Sequence, residues 1–482
     1  MVMPGNIKDR YGMTLSTNSP DAAERWQEGV DLLLGQNYGA EEKLQEAIDL
    51  DEGFAVAHGC LGFLHMTRAR PEEARASAKR GLELVDGITD RERQHIEAVN
   101  LWANGKGTDA VRLAKEHLGE YPRDAVVMRL AQRLYMLGCS GAGVQHFPPA
   151  LFAMMNEVAP HCGDDWAFLG QYAFAHHEMG IIDKAMELAQ KSLDLNPGNA
   201  VAAHSVTHSY FEWGDAMSGG NFLGNWLEGF DPRATYHVHL SWHQALFELA
   251  LGRYQEALQL YEEWIRPTCI ARNISGLSDS ASLMWRLQIY GKEAPPMPWD
   301  EVKEQAAPAA TNPGPAFRDA HAALAFAASG DHELMDQMIN RLRTNAENGN
   351  VFAKEIILPL AQGIYAFAQQ DYSTAVDHLE PVFPQLTRIG GSHAQREVFE
   401  DTLLEAYLRA EQFDKAEDML QERLGRRETP RDTFWLGRVL AGKGEAAAAQ
   451  GNLAKASTVW QKTGDAETPE LTNLQELAGN LA

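Results

Sequence analysis

Small apolar residues recur along the chain at the spacing of paired helices. A turn rich in Gly, Asp, Asn or Gln precedes each of several segments in which an alanine is followed, four residues later, by another apolar residue. That i, i+4 spacing keeps both residues on one helix face. A small residue lets two helix backbones approach closely, so the pattern predicts helix–turn–helix units. The alanines at this position are Ala74, Ala110, Ala185, Ala257, Ala375, Ala416 and Ala456.

The spacing between these alanines predicts one repeat array. Ala74 and Ala110 lie 36 residues apart, and Ala375, Ala416 and Ala456 follow one another at 41 and 40 residues. A tetratricopeptide unit takes about 34 residues, and the longer gaps on either side of Ala185 each fit two units. Val, Ile and Thr do not alternate with polar residues over any useful length, so nothing predicts a sheet. We therefore expect an all-α fold, an α/α superhelical solenoid of tetratricopeptide-like helix–turn–helix repeats that could close into a horseshoe or a ring.

Three segments interrupt the repeats. Residues 139–149, 214–226 and 292–315 are rich in Gly or Pro, which favour turns, so we expect loops or linkers there. The third segment predicts a division of the chain. We expect an N-terminal repeat array at 1–291 that carries the histidine cluster, a linker at 292–315 and C-terminal repeats at 316–482.

Composition narrows the class of protein and of partner. Apolar residues make up 45% and charged residues 23%, which is typical of a water-soluble globular chain. The net charge of −25 would repel a phosphate backbone, so we expect no nucleic-acid partner. Four cysteines without a C-x-x-C pair predict reduced thiols, and no apolar run approaches the length of a membrane span. We expect a cytoplasmic protein that binds no membrane. The sequence leaves open whether the protein forms a homo-oligomer.

Histidines are concentrated in one part of the chain. Nine of the 17 lie between His146 and His243. Two pairs, His204 with His208 and His239 with His243, have i, i+4 spacing, which places both rings of a pair on one helix face. Two such helices side by side would offer four nitrogen ligands to a divalent transition metal. Neither pair has the H-E-x-x-H pattern of zinc proteases.

Other roles for these histidines are open. They could be hydrogen-bonded packing groups without chemistry, although burying many imidazoles costs desolvation. They could also act as general acid and base on a polar substrate without a metal. Under either chemical hypothesis the catalytic candidates are His204, His208, His239, His243 and His95, and the first four are the metal candidates.

Further polar motifs supply candidates for substrate binding. His95 lies at the start of a predicted helix, where a capping pattern is the alternative. Gly390 and Gly391 precede Ser392, which favours a tight turn into a helix whose N-terminus would suit an anion. An ordinary turn between helices is the alternative there. The candidate substrate-binding residues are Asp279, His321, Gln395 and Arg396.

Together these motifs resemble the tetratricopeptide repeat protein 38 family from about Ala40 to about Ala410. The most specific stretch is G-G-S-H-A-Q-R-E-V-F at 390–399, where His393 departs from an asparagine-like position of the family. The other matches are H-x-x-x-H at 204–208, H-x-x-W-H at 239–243, D-S-x-S at 279–282, R-L-Q at 286–288, D-A-H at 319–321 and A-N-G at 103–105. The resemblance implies an α-helical repeat protein whose polar motifs meet on the inner face of a curved array. It implies no particular reaction.

Two classes of function follow. In the first, the repeats enclose a His-rich pocket for a small polar or anionic molecule, and the protein is a hydrolase. It would use metal-activated water or imidazole acid–base chemistry, with Arg396 holding an anionic group. In the second, the protein is a non-enzymatic scaffold that binds a partner protein or peptide on its concave face. An enclosed cavity favours the first, and an open groove with exposed aromatic residues favours the second.

Overall fold

Helices make up most of the chain that the structure describes. The computed structural model describes residues 7–273, 275–290, 297–465 and 469–480. Within these ranges the only β pairing is an isolated bridge between Lys8 and Thr14. The prediction of an all-α fold is confirmed.

The chain forms two compact units. Unit 1 comprises Met1–Val206 and Phe230–His237, and unit 2 comprises Thr207–Gly229 and Val238–Ala482. A short 3-10 turn, Gly138–Ser140, lies in unit 1. The helices wholly in unit 1 are α1 (Pro20–Leu34), α2 (Ala40–Leu50), α3 (Ala55–Thr67), α4 (Pro71–Glu83), α5 (Asp90–Ala103), α6 (Gly107–Glu120), α7 (Ala125–Met136), α8 (Phe147–Cys162), α9 (Trp166–Glu178) and α10 (Ile182–Leu195).

Two helices, α11 (Ala200–Trp213) and α13 (Thr235–Leu251), contribute residues to both units. Unit 2 also has a 3-10 segment at Phe383–Ile389 and π-helical turns at Tyr261–Ile265 and Ala353–Ile357. The helices wholly in unit 2 are α12 (Ala216–Leu227), α14 (Tyr254–Leu260), α15 (Arg266–Ile270), α16 (Gly276–Tyr290), α17 (Trp299–Ala306), α18 (Pro308–Thr311), α19 (Ala316–Ser329), α20 (His332–Glu347), α21 (Leu358–Ala368), α22 (Tyr372–Leu379), α23 (His393–Arg409), α24 (Phe413–Arg426), α25 (Pro430–Gly442), α26 (Ala446–Thr463) and α27 (Pro469–Asn480).

Neighbouring helices pack as hairpins in both units. In unit 1, α3 packs against α4 and α5 against α6, and in unit 2, α21 packs against α22 and α25 against α26. All seven alanines of the repeat pattern are at most 1% exposed. Glycine fills the facing position in α3, because a Cβ on Gly62 would lie 3.3 Å from the carbonyl oxygen of Ala74 and 3.4 Å from the amide nitrogen of Ala78. The tetratricopeptide-like repeat is therefore confirmed by its close contacts.

The segment 214–226, predicted as a loop, is mostly helical. α12 occupies it, and Asp215 caps this helix by accepting a hydrogen bond from the amide of Ser218. A Cβ on Gly219 would lie only 2.4 Å from Cζ of Phe247 on α13. The loop prediction is wrong here because the packing of α12 on α13 offsets the conformational entropy that glycine residues lose in a helix. The missing side chain lets α12 approach α13.

The predicted linker, 292–315, contains two short helices, α17 and α18, and α17 packs against α19 within unit 2. Residues 292–296 of this segment lie outside the described residues. The compact units divide the chain within α11, between α12 and α13, and within α13. Of the segment predicted at 139–149, residues 141–146 are non-helical.

Unit 2 has a continuous apolar core that fixes the helices around its polar interior. Trp242, Trp285 and Trp435 are fully buried in it. The indole N–H of Trp285 donates to Thr402 Oγ1 at 2.9 Å, and that of Trp435 donates to a carboxylate oxygen of Glu405 at 2.8 Å. These two hydrogen bonds link α16 and α25 to α23.

Two expectations from composition can be compared with the structure. Cys60, Cys162 and Cys269 are buried, and all four cysteines are free thiols. No helix in the described part of the chain combines the length and the hydropathy that a membrane span requires.

Two glycines of α12 should respond in opposite ways to alanine. We expect Gly219→Ala to lower the free energy of unfolding by about 1–3 kcal/mol, because its Cβ would overlap Phe247. Gly224→Ala should raise it by about 0.5–1 kcal/mol, since a Cβ there would meet only Gln244 Nε2, at 3.8 Å. Thermal melts followed by circular dichroism measure both. Equal shifts in the two variants would contradict the packing described for α12.

Candidate functional sites

Three histidine rings of unit 2 lie against one another in its interior. His208 comes from α11, and His239 and His243 come from α13. The ring centroids of His208 and His243 are 4.6 Å apart, and those of His239 and His243 are 4.8 Å apart. All three residues are buried. The i, i+4 spacing on α13 thus produces the contact between rings that it predicts.

Two of the predicted metal ligands offer nitrogen atoms at metal-binding separations. Ring nitrogens of His208 and His243 lie within 4.8 Å of one another, and both residues are buried. Histidine nitrogens are common ligands for zinc. Two of the four predicted metal candidates therefore meet in unit 2, and His239 adjoins them through its ring contact with His243.

A carboxylate and an indole orient His239. Its Nδ1 lies 3.3 Å from both carboxylate oxygens of Asp279, which belongs to the first turn of α16. A proton on Nδ1 that is donated to Asp279 places the lone pair of the ring on Nε2. The ring also stacks on Trp242, with centroids 5.4 Å apart. Asp279, a substrate-binding candidate, thus acts on a neighbouring histidine in this structure.

The two remaining catalytic candidates have partners in unit 1. The ring of His204 stacks on Phe174 at 5.7 Å between centroids and meets Tyr236 edge-on at 5.3 Å. His95 lies on α5, and its Nδ1 is 3.8 Å from Asp124 Oδ2. Both side chains are buried.

Asp124 is the centre of a buried ionic cluster in unit 1. It accepts a hydrogen bond from Arg91 Nη1 at 3.1 Å, and a ring nitrogen of His117 lies 3.3 Å away. Burial would raise the pKa of Asp124, but His117, His95 and Arg91 outweigh it and hold that pKa well below its usual value. The carboxylate also caps α7. His95 therefore belongs to a cluster that joins α5, α6 and α7.

Three predicted substrate-binding residues make local contacts. His321 on α19 places Nδ1 2.7 Å from a backbone oxygen one turn earlier, and burial lowers the pKa of His321 to about 4. Gln395 accepts a hydrogen bond from the amide of Ser392 at 3.0 Å and completes a capping box. Arg396 donates to the carbonyl oxygen of Gly391. These contacts stabilise the start of α23 and the packing of α19.

Glycine is required in the turn that leads into α23. Gly390 and Gly391 have φ angles of 89° and 75°, in the left-handed region that favours glycine. A Cβ on Gly391 would lie 2.4 Å from Cε2 of Phe317. The predicted tight turn into a helix is confirmed, and capping by Ser392 accounts for the local sequence.

His393, the first residue of α23, lies between two carboxylates. Its Nδ1 is 2.6 Å from Glu212 Oε1, and its Nε2 is 3.8 Å from Glu400 Oε1. Burial would lower the pKa of His393, but Glu212 and Glu400 outweigh it and raise that pKa to about 9. The imidazole is therefore protonated near neutral pH.

Unit 2 also contains a partly open pocket that the sequence analysis did not predict. Its volume is about 250 Å³, and most of its wall is apolar. Helices α11, α12, α13, α16 and α23 to α26 contribute to it. The lining residues are Tyr210, Phe211, Gly214, Asp215, Ala216, Met217, Leu246, Phe247, Leu249, Ala250, Leu251, Arg286, Tyr290, Glu397, Arg423, Arg427, Thr429, Pro430, Arg431, Val459 and Thr463.

Two arginines on one wall of this pocket are held by carboxylates. Arg423 pairs with Asp401 and with Asp432, each at 2.9 Å. Arg427 pairs with Glu397. Burial would lower the pKa of each arginine, but the neighbouring carboxylates outweigh it and raise both pKa values. Both guanidinium groups are therefore fixed in position and charged.

Two further arginines complete the cationic wall. The guanidinium of Arg431 lies 3.5 Å from the centroid of the Tyr290 ring, whose hydroxyl donates to Asp401 at 2.6 Å. Arg286 donates to the backbone oxygen of Ala394 at 2.8 Å. An aromatic face thus helps to position Arg431, and a backbone acceptor helps to position Arg286.

Apolar side chains are exposed at the mouth of the pocket. Met217 and Val459 line it and are 37% and 38% exposed. Trp213, the neighbour of the lining residue Gly214, is 43% exposed. The four lining arginines are at most 8% exposed. The mouth of the pocket is therefore largely apolar, with Asp215 exposed beside these residues, and its interior holds four arginines and Glu397.

The cationic wall has only a weak signal in the sequence. Arg423, Arg427 and Arg431 follow one another at four-residue intervals, which would place them on one face of a continuous helix. However, α24 ends at Arg426 and α25 begins at Pro430. Only the fold brings their partners on α23 to them.

No protein-family model matches the sequence. Among solved structures, the chain is similar to the APC/C hetero-tetramer Cut9–Hcn1, with 14% identity, coverage of 95% of this chain and 76% of that chain, and a TM-score of 0.48. It is similar to the human IFIT1 dimer with m7Gppp-AAAA, with 12% identity, coverage of 94% and 98%, and a TM-score of 0.38. For yeast Tom70 the identity is 12%, the coverage 95% of each chain and the TM-score 0.28. Likenesses at this level say nothing about activity or ligands.

Stability should fall in mildly alkaline solution because of His393. The raised pKa means that its charged form stabilises the fold fully below the unfolded-state pKa of about 6.5, and this contribution is lost as the pH rises through about 9. We expect the free energy of unfolding to drop by up to about 3 kcal/mol more between pH 7 and pH 10 in the wild type than in His393→Gln. Urea titrations at both pH values measure this difference. The exposed His332→Gln serves as control, and parallel profiles for wild type and His393→Gln would contradict the assignment.

Proposed function

We propose that the protein is a non-catalytic binding module that takes an apolar segment of a partner protein into the pocket of unit 2. The pocket carries this proposal because its mouth is apolar and exposed to solvent. Exposed apolar residues gathered around a cavity are typical of interaction sites, whereas scattered ones are not.

The mouth offers the energy that such an interaction needs. Trp213, Met217 and Val459 are each more than one-third exposed, so a bound segment could cover them. Burial of apolar surface contributes about 25 cal/mol per Å². Tryptophan is also enriched among the residues that dominate binding energy at interfaces. A segment with one or two large apolar side chains therefore suits the site.

The charged groups of the pocket favour binding over catalysis. Burial would raise the pKa of Glu397, but Arg427 and Arg423 outweigh it and lower that pKa. Glu397 thus stays ionised and paired. A general acid or base works best with a pKa near the operating pH, so this carboxylate is poorly suited to proton transfer.

The overall charge favours a basic partner surface around the inserted segment. The chain carries −25 at neutral pH, and complementary charge speeds association and selects partners. We therefore propose a partner with an apolar anchor and basic flanking residues.

Selection from a random peptide library tests this function. We expect enriched peptides to share a large apolar residue with basic neighbours, and to bind the double variant Met217→Gln, Val459→Gln at least tenfold more weakly in fluorescence anisotropy. Ile270→Gln, Val351→Gln is the matched control, because both residues are exposed in unit 2 and neither lines the pocket. Failure to enrich any peptide, or equal loss in the control, would overturn the proposal.

We propose a transition-metal site on His208 and His243 as a second candidate function, with His204 one turn before His208 on α11. The ligand separations within 4.8 Å support it. His239, oriented by Asp279, would adjoin the site through its contact with the ring of His243. Metal-activated water there would supply the hydrolytic chemistry expected of the His-rich pocket.

Binding of Co²⁺ measures the second candidate directly. We expect the metal-depleted protein to take up one equivalent, with visible absorption bands from nitrogen coordination, and His243→Ala to lose this uptake. The exposed His332→Ala should retain it. Lack of stoichiometric uptake in the wild type would remove the metal site and leave the peptide-binding proposal intact.

We also propose that the chain is a member of the tetratricopeptide repeat protein 38 family and is cytoplasmic. The contacts among His208, His239, His243 and Asp279 support the first, since these residues come from three of the shared motifs. An alignment of the family in which these four positions vary freely would contradict it. The free thiols support the second.

A further inference from the structure

The interior of the unit 2 pocket differs in chemistry from its mouth. We infer that the partner segment ends in the pocket, with an apolar C-terminal residue whose free carboxylate lies against the arginine wall. This inference rests on the proposed function and specifies the ligand of the same site.

The charge of the lining supports a carboxylate. Arg286, Arg423, Arg427 and Arg431 line the pocket, against the acids Asp215 and Glu397. Asp215 is exposed and caps α12. The lining thus carries four guanidinium groups against two carboxylates, although Asp401 and Asp432, which do not line the pocket, also pair with Arg423. An anionic group inside the pocket would lie against donors that carry positive charge.

Hydrogen-bond donors in the wall lack acceptors. The Nε–H groups of Arg423 and Arg427 are buried and have no hydrogen-bond partner within the part of the chain that the structure describes. Both residues are more than nine-tenths buried and line the pocket. Buried donors without acceptors are costly, so an acceptor group on the ligand would be stabilising here. Guanidinium groups pair with carboxylates in a planar, two-bond geometry.

The shape of the pocket favours a chain end over an internal acidic residue. The volume of about 250 Å³ is small, and its wall includes Phe211 and Phe247 as well as the arginines. Arg427 packs over Phe211, with the guanidinium 4.3 Å from the ring centroid. A C-terminal residue carries its side chain and its carboxylate on one Cα, so it presents both groups within such a space. An internal segment would also have to lead its chain out again.

Two matched peptides test the carboxylate. The probes are acetyl-Lys-Leu-Phe with a free C-terminus and the same peptide as its C-terminal amide, measured by saturation-transfer NMR and calorimetry. We expect the free acid to bind at least tenfold more tightly than the amide. Added salt should weaken the binding of the acid more than that of the amide. A third peptide, acetyl-Lys-Asp-Phe-amide, carries an internal carboxylate and should bind no better than the first amide.

Variants locate the effect on the arginine wall. Arg427→Gln and Arg431→Gln should each reduce the preference for acid over amide to less than threefold. Arg426→Gln should retain it, because Arg426 is 43% exposed and lies outside the lining. Circular dichroism checks that each variant is folded, and the comparison of acid with amide in the wild type does not depend on any variant.

The outcomes separate this inference from the proposed function. Equal binding of the acid and the amide would overturn the inference that the pocket binds a carboxylate. If the double variant Met217→Gln, Val459→Gln also lost binding of both peptides, the proposed apolar binding site would stand. If acetyl-Lys-Asp-Phe-amide bound more tightly than the free acid, the inference that the ligand carboxylate belongs to a chain end would be overturned. An acid preference that survives in both arginine variants, or no binding of any probe, would overturn the inference as well.

Discussion

The architecture depends on how closely the backbones of paired helices can approach. Alanine on one helix and glycine on its neighbour allow this contact, as at Gly62 against Ala74 and Ala78. Because these contacts leave no room for large side chains, the bulky residues lie in the core between pairs, where Trp242 and Trp285 are fully buried. The paired helices then form a rigid frame that holds polar side chains in fixed positions.

The polar interior of unit 2 is more elaborate than its fold requires. Arg423 with Asp401 and Asp432, and Arg427 with Glu397, are buried pairs, and His393 is partly buried between its two glutamates. Replacing such pairs by well-packed apolar residues is often neutral or stabilising in proteins, so they are weak evidence for stability. Their grouping beside one pocket, with an aromatic ring or a carboxylate next to the guanidinium groups, is the arrangement on which the proposed binding site is based.

Sequence reasoning succeeded where structure depends on local spacing. The repeat alanines, the turn at Gly390 and Gly391, and the meeting of His239 with His243 all follow from residues within one or two helical turns. It failed where long-range packing decides. The glycines of α12 indicate a loop in the sequence, because their contact with Phe247 is visible only in the fold. The arginine wall likewise depends on the packing of α23, which brings Glu397 and its neighbours to the end of α24. Gln395 and Arg396 show a related difficulty, since a cap and a ligand site require similar residues.

Gly219 has a consequence for how the pocket of unit 2 can evolve. It holds α12 against Phe247, and both Met217 on the same helix and Phe247 itself line the pocket. The width of the pocket mouth therefore depends on the absence of a Cβ atom at Gly219. Relatives with a bulkier residue at this position must hold α12 farther from α13, so the shape of the pocket can change through a residue that does not line it.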